Sequence, residues 1–173
     1  HEWDELLMKY TDSEDIINSL FNEIYQRYTS KHRHYHNLSH IESMLNSIKP
    51  FDKKIIDIDS LLFAIWYHDV IYNPVKNDNE EKSAEFANRS LKKIRINSNK
   101  IKKVIALILK SKSHISRTLG IRDDYDTKLF LDSDLHIFGA PKETYKLYMQ
   151  QIREEHKKVP EFLFTKNRKK FLT

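Results

Sequence analysis

The adjacent pair His68 and Asp69 ends an apolar run that breaks at Pro74. Before the pair, leucine, isoleucine and tryptophan recur at helical spacing, which indicates a buried helix. Burying an imidazole and a carboxylate costs free energy unless a partner satisfies them. A divalent cation would do so, because both groups are common metal ligands. The alternative is an ordinary helix end, at which His68 caps carbonyl groups and Asp69 starts a turn.

A second group of candidates is histidine-rich, since residues 30–40 contain four of the nine histidines. His36 and His40 are four residues apart and share a face of any helix. His40 also borders Met44 at the edge of an apolar stripe, so we expect it to point inward. His32 and His34 are better explained as part of a solvated, basic linker.

Two acidic positions complete the candidates. Asp134 lies three or four residues from several large apolar side chains, which predicts a buried carboxylate, whereas Asp132 can reach solvent. In the next segment, Asp78 and Glu81 have the spacing of a capping box, which explains Glu81. No such explanation exists for Glu80, which follows the His-Asp pair closely in sequence.

The elements that must position these residues are helices. The 173 residues include two glycines and four prolines, fewer than a strand-rich fold needs for its turns. We predict an all-α, single domain over residues 1–173, with Asp12 or Ser13 capping a helix after a break in residues 3–28. Asp59 or Ser60 is expected to cap the central helix, and Gly139 with Pro141 to separate two later ones. Residues 116–126 are the best loop candidate and could rim a pocket. The predicted helical segments are residues 3–28, 41–49, 60–67, 79–94, 101–112, 128–138, 142–156 and 161–171.

Composition restricts the possible chemistry. The chain has no cysteine, so any metal must be held by His, Asp, Glu and water. Four inward residues of ligand type, His40, His68, Asp69 and Asp134, are most simply explained by one shared site for Mn, Fe, Zn, Co or Mg, with one or two ions. A transmembrane run and a signal peptide are not visible, and we expect a cytoplasmic protein without a membrane partner.

The charge pattern permits an anionic ligand. The net charge of +5 is mild, so nucleic acid is an unlikely partner. Residues 89–112 are strongly basic, which usually marks a solvated helix face but would also steer an anionic substrate. The sequence leaves a homodimer open.

Three segments, residues 33–41, 64–74 and 130–139, resemble the HD superfamily of metal-dependent phosphohydrolases, in particular a bacterial branch known only as predicted members. The motifs also resemble the catalytic core of cyclic nucleotide phosphodiesterases, in a Tyr-His-Asn tripeptide, a His-Asp pair and a later aspartate segment. This resemblance implies an HD-domain-like helical bundle. The sequence departs from the phosphodiesterase pattern at Tyr72, where those enzymes have a further histidine. The resemblance therefore does not imply cyclic nucleotide hydrolysis or a second metal.

The resemblance also assigns roles. His40, His68, Asp69 and Asp134 would hold the first metal, Asp69 could bridge to a second, and His36 would donate a proton to the leaving oxygen. Catalysis is thus expected from His36 and Asp69, and His114 resembles a further histidine near the second metal or substrate. We also expect substrate contacts from Asn37, Glu80 and Arg33, where a second phosphate could bind.

The predicted function is hydrolysis of a phosphate ester, of a nucleotide or other small phosphorylated metabolite, by a metal-activated water. Two alternatives stay open. One is a non-hydrolytic sensor that binds metal or nucleotide, and the other is a di-iron oxygenase of HD type.

Overall fold

Residues 2–112 and 124–172, which the computed structural model describes, form nine α-helices and no β-strand. The all-α prediction is therefore confirmed. None of the described helices is both long and apolar enough to cross a membrane. The helices are α1 Glu2–Met8, α2 Glu14–Tyr28, α3 Leu38–Ile48, α4 Ile58–Tyr67, α5 Asn79–Leu91, α6 Ser98–Ser111, α7 Tyr125–Asp134, α8 Lys142–Glu155 and α9 Glu161–Leu172, with 3-10 helices at Lys49–Lys54 and His136–Gly139.

Helix α4 forms the centre of the main core. It contacts α3, α5, α6 and α7, and most of its residues are buried, Phe63, Ala64 and Ile65 completely. A short helix with so few polar groups is stable only inside such a ring of neighbours. This arrangement places the C-terminal end of α4, with the His-Asp pair, among the ends of other helices.

The start of α4 differs from the prediction. Asp57 is the capping residue, and its carboxylate accepts the Ser60 amide at 3.2 Å. The predicted caps, Asp59 and Ser60, lie inside the first turn. The reason is a long-range contact: the buried carboxylate of Asp126 accepts the backbone N–H groups of residues 56 and 57 and fixes the helix start there.

A smaller apolar cluster lies between α8, α9 and the 3-10 helix at residues 136–139. Ile137, Tyr148, Ile152 and Phe164 are its buried members, and Tyr35 packs against them from the histidine-rich segment. The last two helices are thus attached to the part of the chain that contains His36 and His40.

Other local predictions are confirmed or corrected by capping contacts. Ser13 caps α2 as predicted. The Asp78–Glu81 capping box is wrong, since Asp78 makes no capping hydrogen bond and pairs with Lys82, while Glu81 pairs with Lys112. Both carboxylates are half-exposed and pair with lysine side chains instead of accepting backbone N–H groups at the helix start.

Two further predictions concern the C-terminal end of α7 and the segment before this helix. The helix predicted to reach Gly139 ends at Asp134 and is followed by a 3-10 helix. His114, and the loop prediction at residues 116–123, lie outside the described residues. Residue 124 caps α7, which begins at Tyr125.

The basic stretch at residues 89–112 is largely paired. Four of its lysines and Arg95 contact acidic residues from distant parts of the chain, in the pairs Lys93–Glu23, Arg95–Asp12, Lys100–Asp57, Lys103–Asp126 and Lys112–Glu81. These pairs give the stretch a structural role in linking α6 and its flanks to the rest of the fold.

Candidate metal centre and active site

Three helix ends bring the predicted ligands together. His40 lies in the first turn of α3, His68 caps the C-terminal end of α4, and Asp134 is the last residue of α7. Asp69 follows His68 directly in the turn after α4. Both imidazoles are buried, and Asp134 is the sheltered carboxylate while Asp132 is exposed, as the sequence predicted.

The ligand atoms are close to one another. One nitrogen each of His40 and His68 and one carboxylate oxygen of Asp69 all lie within 4.8 Å of each other. Asp134 closes the group, since its Oδ1 is 3.1 Å from His40 Nε2 and 3.6 Å from His68 Nε2. The described residues therefore contain a buried His40/His68/Asp69 group that could hold a metal ion.

The hydrogen bonds of His68 test whether these residues fit a cation. Its Nδ1 donates to the Ile65 carbonyl at 2.9 Å. In a neutral ring the lone pair is then on Nε2, which is buried and lies 3.1 Å from Asp69 Oδ2. That lone pair faces the carboxylates of Asp69 and Asp134. Such an arrangement is unfavourable unless a positive charge lies between them, so the residues fit a metal.

The same electrostatics shift the pKa values of the two histidines in opposite directions. Burial lowers the pKa of His68, but the charges of Asp69 and Asp134 outweigh it and raise that pKa to about 9. Burial dominates at His40, whose pKa is lowered despite Asp134. Although burial opposes it, the charge of His68 keeps the pKa of Asp69 well below its usual range. Without metal, a proton on His68 therefore balances the carboxylates.

His36 lies beside this group and is held by Glu155, a residue of α8. The imidazole Nδ1 is 2.7 Å from Glu155 Oε2, and its Nε2 is 4.0 Å from Asp69 Oδ2. Burial lowers the pKa of His36, but the hydrogen bond to Glu155 and the charge of Asp69 raise it above its ordinary value. His36 is thus favoured in the protonated form, with one ring nitrogen directed towards Asp69.

Glu155 binds the whole histidine-rich turn. Its Oε1 accepts the backbone N–H groups of His34, Tyr35 and His36 at 2.8, 2.8 and 3.0 Å. Burial alone would raise the pKa of this carboxyl, but the hydrogen bonds from His36 and the backbone lower it to about 2. Glu155 is therefore ionised at neutral pH and fixes the orientation of His36.

Tyr72 lies where the phosphodiesterases that the motifs resemble have a further histidine. Its hydroxyl donates to Glu155 Oε2 at 2.9 Å, and its ring stacks on His36 with centroids 4.2 Å apart. Burial, together with the Glu155 charge, raises the pKa of Tyr72 well above its usual range. The phenol is thus neutral and directed to Glu155, and it supports His36.

Arg33 and Asn37 lie at the base of the same turn. The Arg33 guanidinium donates to the backbone carbonyls of His36, Asp69 and Val70 at 3.0, 2.6 and 3.0 Å. Asn37 caps α3 through Ser39 and donates to the His34 carbonyl. The predicted substrate contacts of both residues stay predictions, and their observed contacts give them a structural role.

A cavity of about 200 Å³ opens beside the metal group. His36, Asp69, Tyr72, Glu80 and Asp134 are among its lining residues. Burial raises the pKa of Glu80, and the nearby charge of Asp69 adds to the effect. Glu80 therefore lies in the cavity wall, where it could meet a ligand, whereas His114 is outside the described residues.

Sequence reasoning missed Glu155. It lies on the apolar face of α8 that also carries Tyr148 and Ile152, at a spacing of three and seven residues. A charged residue in such a stripe is a signal for a buried carboxylate with a specific partner. The sequence alone could not name that partner, which is more than a hundred positions away.

No family model, characterised protein or solved structure matches this chain. A proposal for the chemistry of the site therefore rests on the geometry of its residues. A group of His and Asp ligands that could hold a cation, next to an imidazole whose pKa is raised, suits reactions in which an oxygen is both activated and protonated, and hydrolysis of an ester of a strong acid is one of them.

Proposed function

We propose that this chain is a metal-dependent phosphohydrolase of the HD superfamily, acting on a nucleotide or other small phosphorylated metabolite. One observation carries the proposal: a buried group of histidine and aspartate ligand atoms lies within 4.8 Å, next to an imidazole that an ionised carboxylate orients. The order of the motifs along the chain, and the all-helical fold, agree with the resemblance noted in the sequence.

His40, His68, Asp69 and Asp134 would hold a divalent cation. When bound, the cation lowers the pKa of water towards about 7 and offsets negative charge on phosphoryl oxygens. Because the donors are imidazole and carboxylate, Mn, Fe, Zn, Co and Mg are all compatible with the site.

His36 supplies the proton for the leaving oxygen. Its raised pKa favours the protonated form more than in a free histidine, and its Nε2 faces the Asp69 side of the cavity. A general acid placed in this way contributes about 10²–10⁴ in rate. Glu155 keeps the ring in this orientation, and Tyr72 supports both of them.

The test is metal analysis together with a phosphoester panel. We expect the purified protein to bind divalent metal and to hydrolyse nucleoside monophosphates or 4-nitrophenyl phosphate, and the variant Asp69→Ala to lose both properties. Asp132→Ala is the matched control, because Asp132 is an exposed aspartate on the same helix as Asp134.

Two outcomes would contradict the proposal. Metal-replete protein that turns over no phosphoester, but shows a thermal shift with nucleotides, would favour a sensor. Oxygen-dependent turnover in iron-loaded protein would favour an oxygenase.

A further inference from the structure

The cavity at the metal group is too small for a whole nucleotide. Its volume is about 200 Å³, whereas pockets for drug-sized ligands are typically about 300–1,000 Å³. It can hold a phosphoryl group and a few further atoms. The remainder of a larger substrate must extend beyond it.

A second, larger groove adjoins the cavity and shares wall residues with it. This groove has a volume of about 900 Å³. Ile152, His156 and Arg168 line both spaces. A substrate that extends out of the metal cavity on this side therefore passes the side chain of Arg168.

The charged residues that are described in the wall of the groove are all basic. Lys76, Lys158 and Arg168 line it, and none of the described lining residues is acidic. By contrast, the metal cavity contains three carboxylates, those of Asp69, Glu80 and Asp134. An anionic group is therefore favoured in the groove over the metal cavity.

Arg168 is held in place by aromatic rings. Its guanidinium donates to the Tyr148 hydroxyl and lies 4.9 Å from the centroid of that ring, with the Phe138 ring at 5.9 Å. A guanidinium has five N–H donors in a planar fork that matches phosphate oxygens. Because the rings restrict its rotamers, little side-chain entropy is lost on binding.

The second arginine near the metal ligands, Arg33, holds the backbone of the site. The guanidinium of Arg33 donates to three backbone carbonyls. Four lysines of the basic stretch pair with acidic residues from other segments. Arg168 is the described arginine that lines both the cavity beside the metal ligands and the open groove.

We propose that Arg168 binds a second anionic group of the substrate, so that the preferred substrates are small metabolites with two phosphate groups. The inference rests on the proposed function for the reacting phosphate. It adds a specificity-determining residue and a substrate class to that function.

The kinetic test compares adenosine 5′-monophosphate with adenosine 3′,5′-bisphosphate. We expect Arg168→Gln to lower kcat/KM for the bisphosphate at least tenfold, mainly through KM, and to change the monophosphate value less than twofold. Arg153→Gln is the matched control, since Arg153 joins α8 to α9 through Glu161 and packs on Phe164. Equal losses for both substrates, or the same pattern in Arg153→Gln, would overturn the proposal.

A binding test separates this inference from the proposed function. If the wild-type protein hydrolyses neither compound, the function fails and titration calorimetry with methylenediphosphonate and methylphosphonate decides about Arg168. We expect Arg168→Gln to weaken only methylenediphosphonate, by at least tenfold. Should that variant not fold, Arg168→Lys takes its place, with an expected loss of at least threefold. Unchanged affinity, or a wild-type protein that binds neither phosphonate, refutes the subsite.

Discussion

Replacing Glu155 by glutamine changes one atom of the network that holds His36. The wild-type carboxylate accepts three backbone N–H groups on one oxygen and contacts His36 and Tyr72 with the other. A glutamine side chain of nearly the same shape has one oxygen and one NH₂ group. Because NH₂ cannot accept a hydrogen bond, one side of the network loses its acceptor.

The magnitude follows from the pKa of Glu155. Since folding lowers this pKa from 4.5 to about 2, at about 1.4 kcal/mol per pH unit, the ionised carboxylate contributes about 3 kcal/mol of stability. The side chain is fully buried, so solvent screening is small. This contribution is complete above pH 4.5 and is lost as the pH falls from about 4.5 towards 2.

Chemical denaturation of wild type and Glu155→Gln at several pH values measures the effect. We expect a difference of about 3 kcal/mol in the free energy of unfolding at pH 7, and a smaller difference at each step below pH 4.5. The matched control is Glu154→Gln, whose exposed carboxylate pairs with Lys157, and this variant should retain wild-type stability. An equal stability at pH 7, or a difference that does not change with pH, would refute the reasoning.

The same variant should change catalysis. Without the negative charge of Glu155, the pKa of His36 falls, so the alkaline limb of the kcat profile moves to lower pH. We expect kcat to fall by about 10²-fold, within the range for a general acid, with a small change in KM. A purely structural role for Glu155 would leave the pH profile in place.

Two other substitutions test neighbouring contacts. Asp126→Ala removes a buried carboxylate that accepts two backbone N–H groups and pairs with Lys103; we expect a loss of about 3–5 kcal/mol in urea unfolding, and a loss below about 1 kcal/mol would contradict this assignment. Tyr72→Phe removes a hydroxyl that donates to Glu155; kcat should fall by less than tenfold and the metal content should be unchanged, whereas loss of a metal would show that Tyr72 is a ligand.

Local periodicity predicted much of the helical fold and which of the candidate ligand residues are buried or sheltered. The preference for Asp134 over Asp132, and the inward position of His40, needed only the spacing of apolar neighbours on one helix. The structure agrees on both, because burial of a helix face is decided mainly by residues within two turns of it.

Features that depend on distant contacts could not be predicted in the same way. The start of α4 is fixed by Asp126, and the orientation of His36 is fixed by Glu155, about 120 positions later. The capping box predicted at Asp78 is absent because Lys82 pairs with Asp78 and Lys112 pairs with Glu81. In each case, the partner comes from an exposed or distant site that periodicity does not reveal.

The contacts of Arg33 restrict how the site can change during evolution. Its guanidinium holds main-chain carbonyls of His36 and Asp69, and such carbonyls exist whatever side chain a residue carries. Substitutions of the side chains at these two positions would therefore leave the contacts that set the spacing of the two segments in place. Replacement of Arg33 would instead allow the two segments to move apart together with every group attached to them.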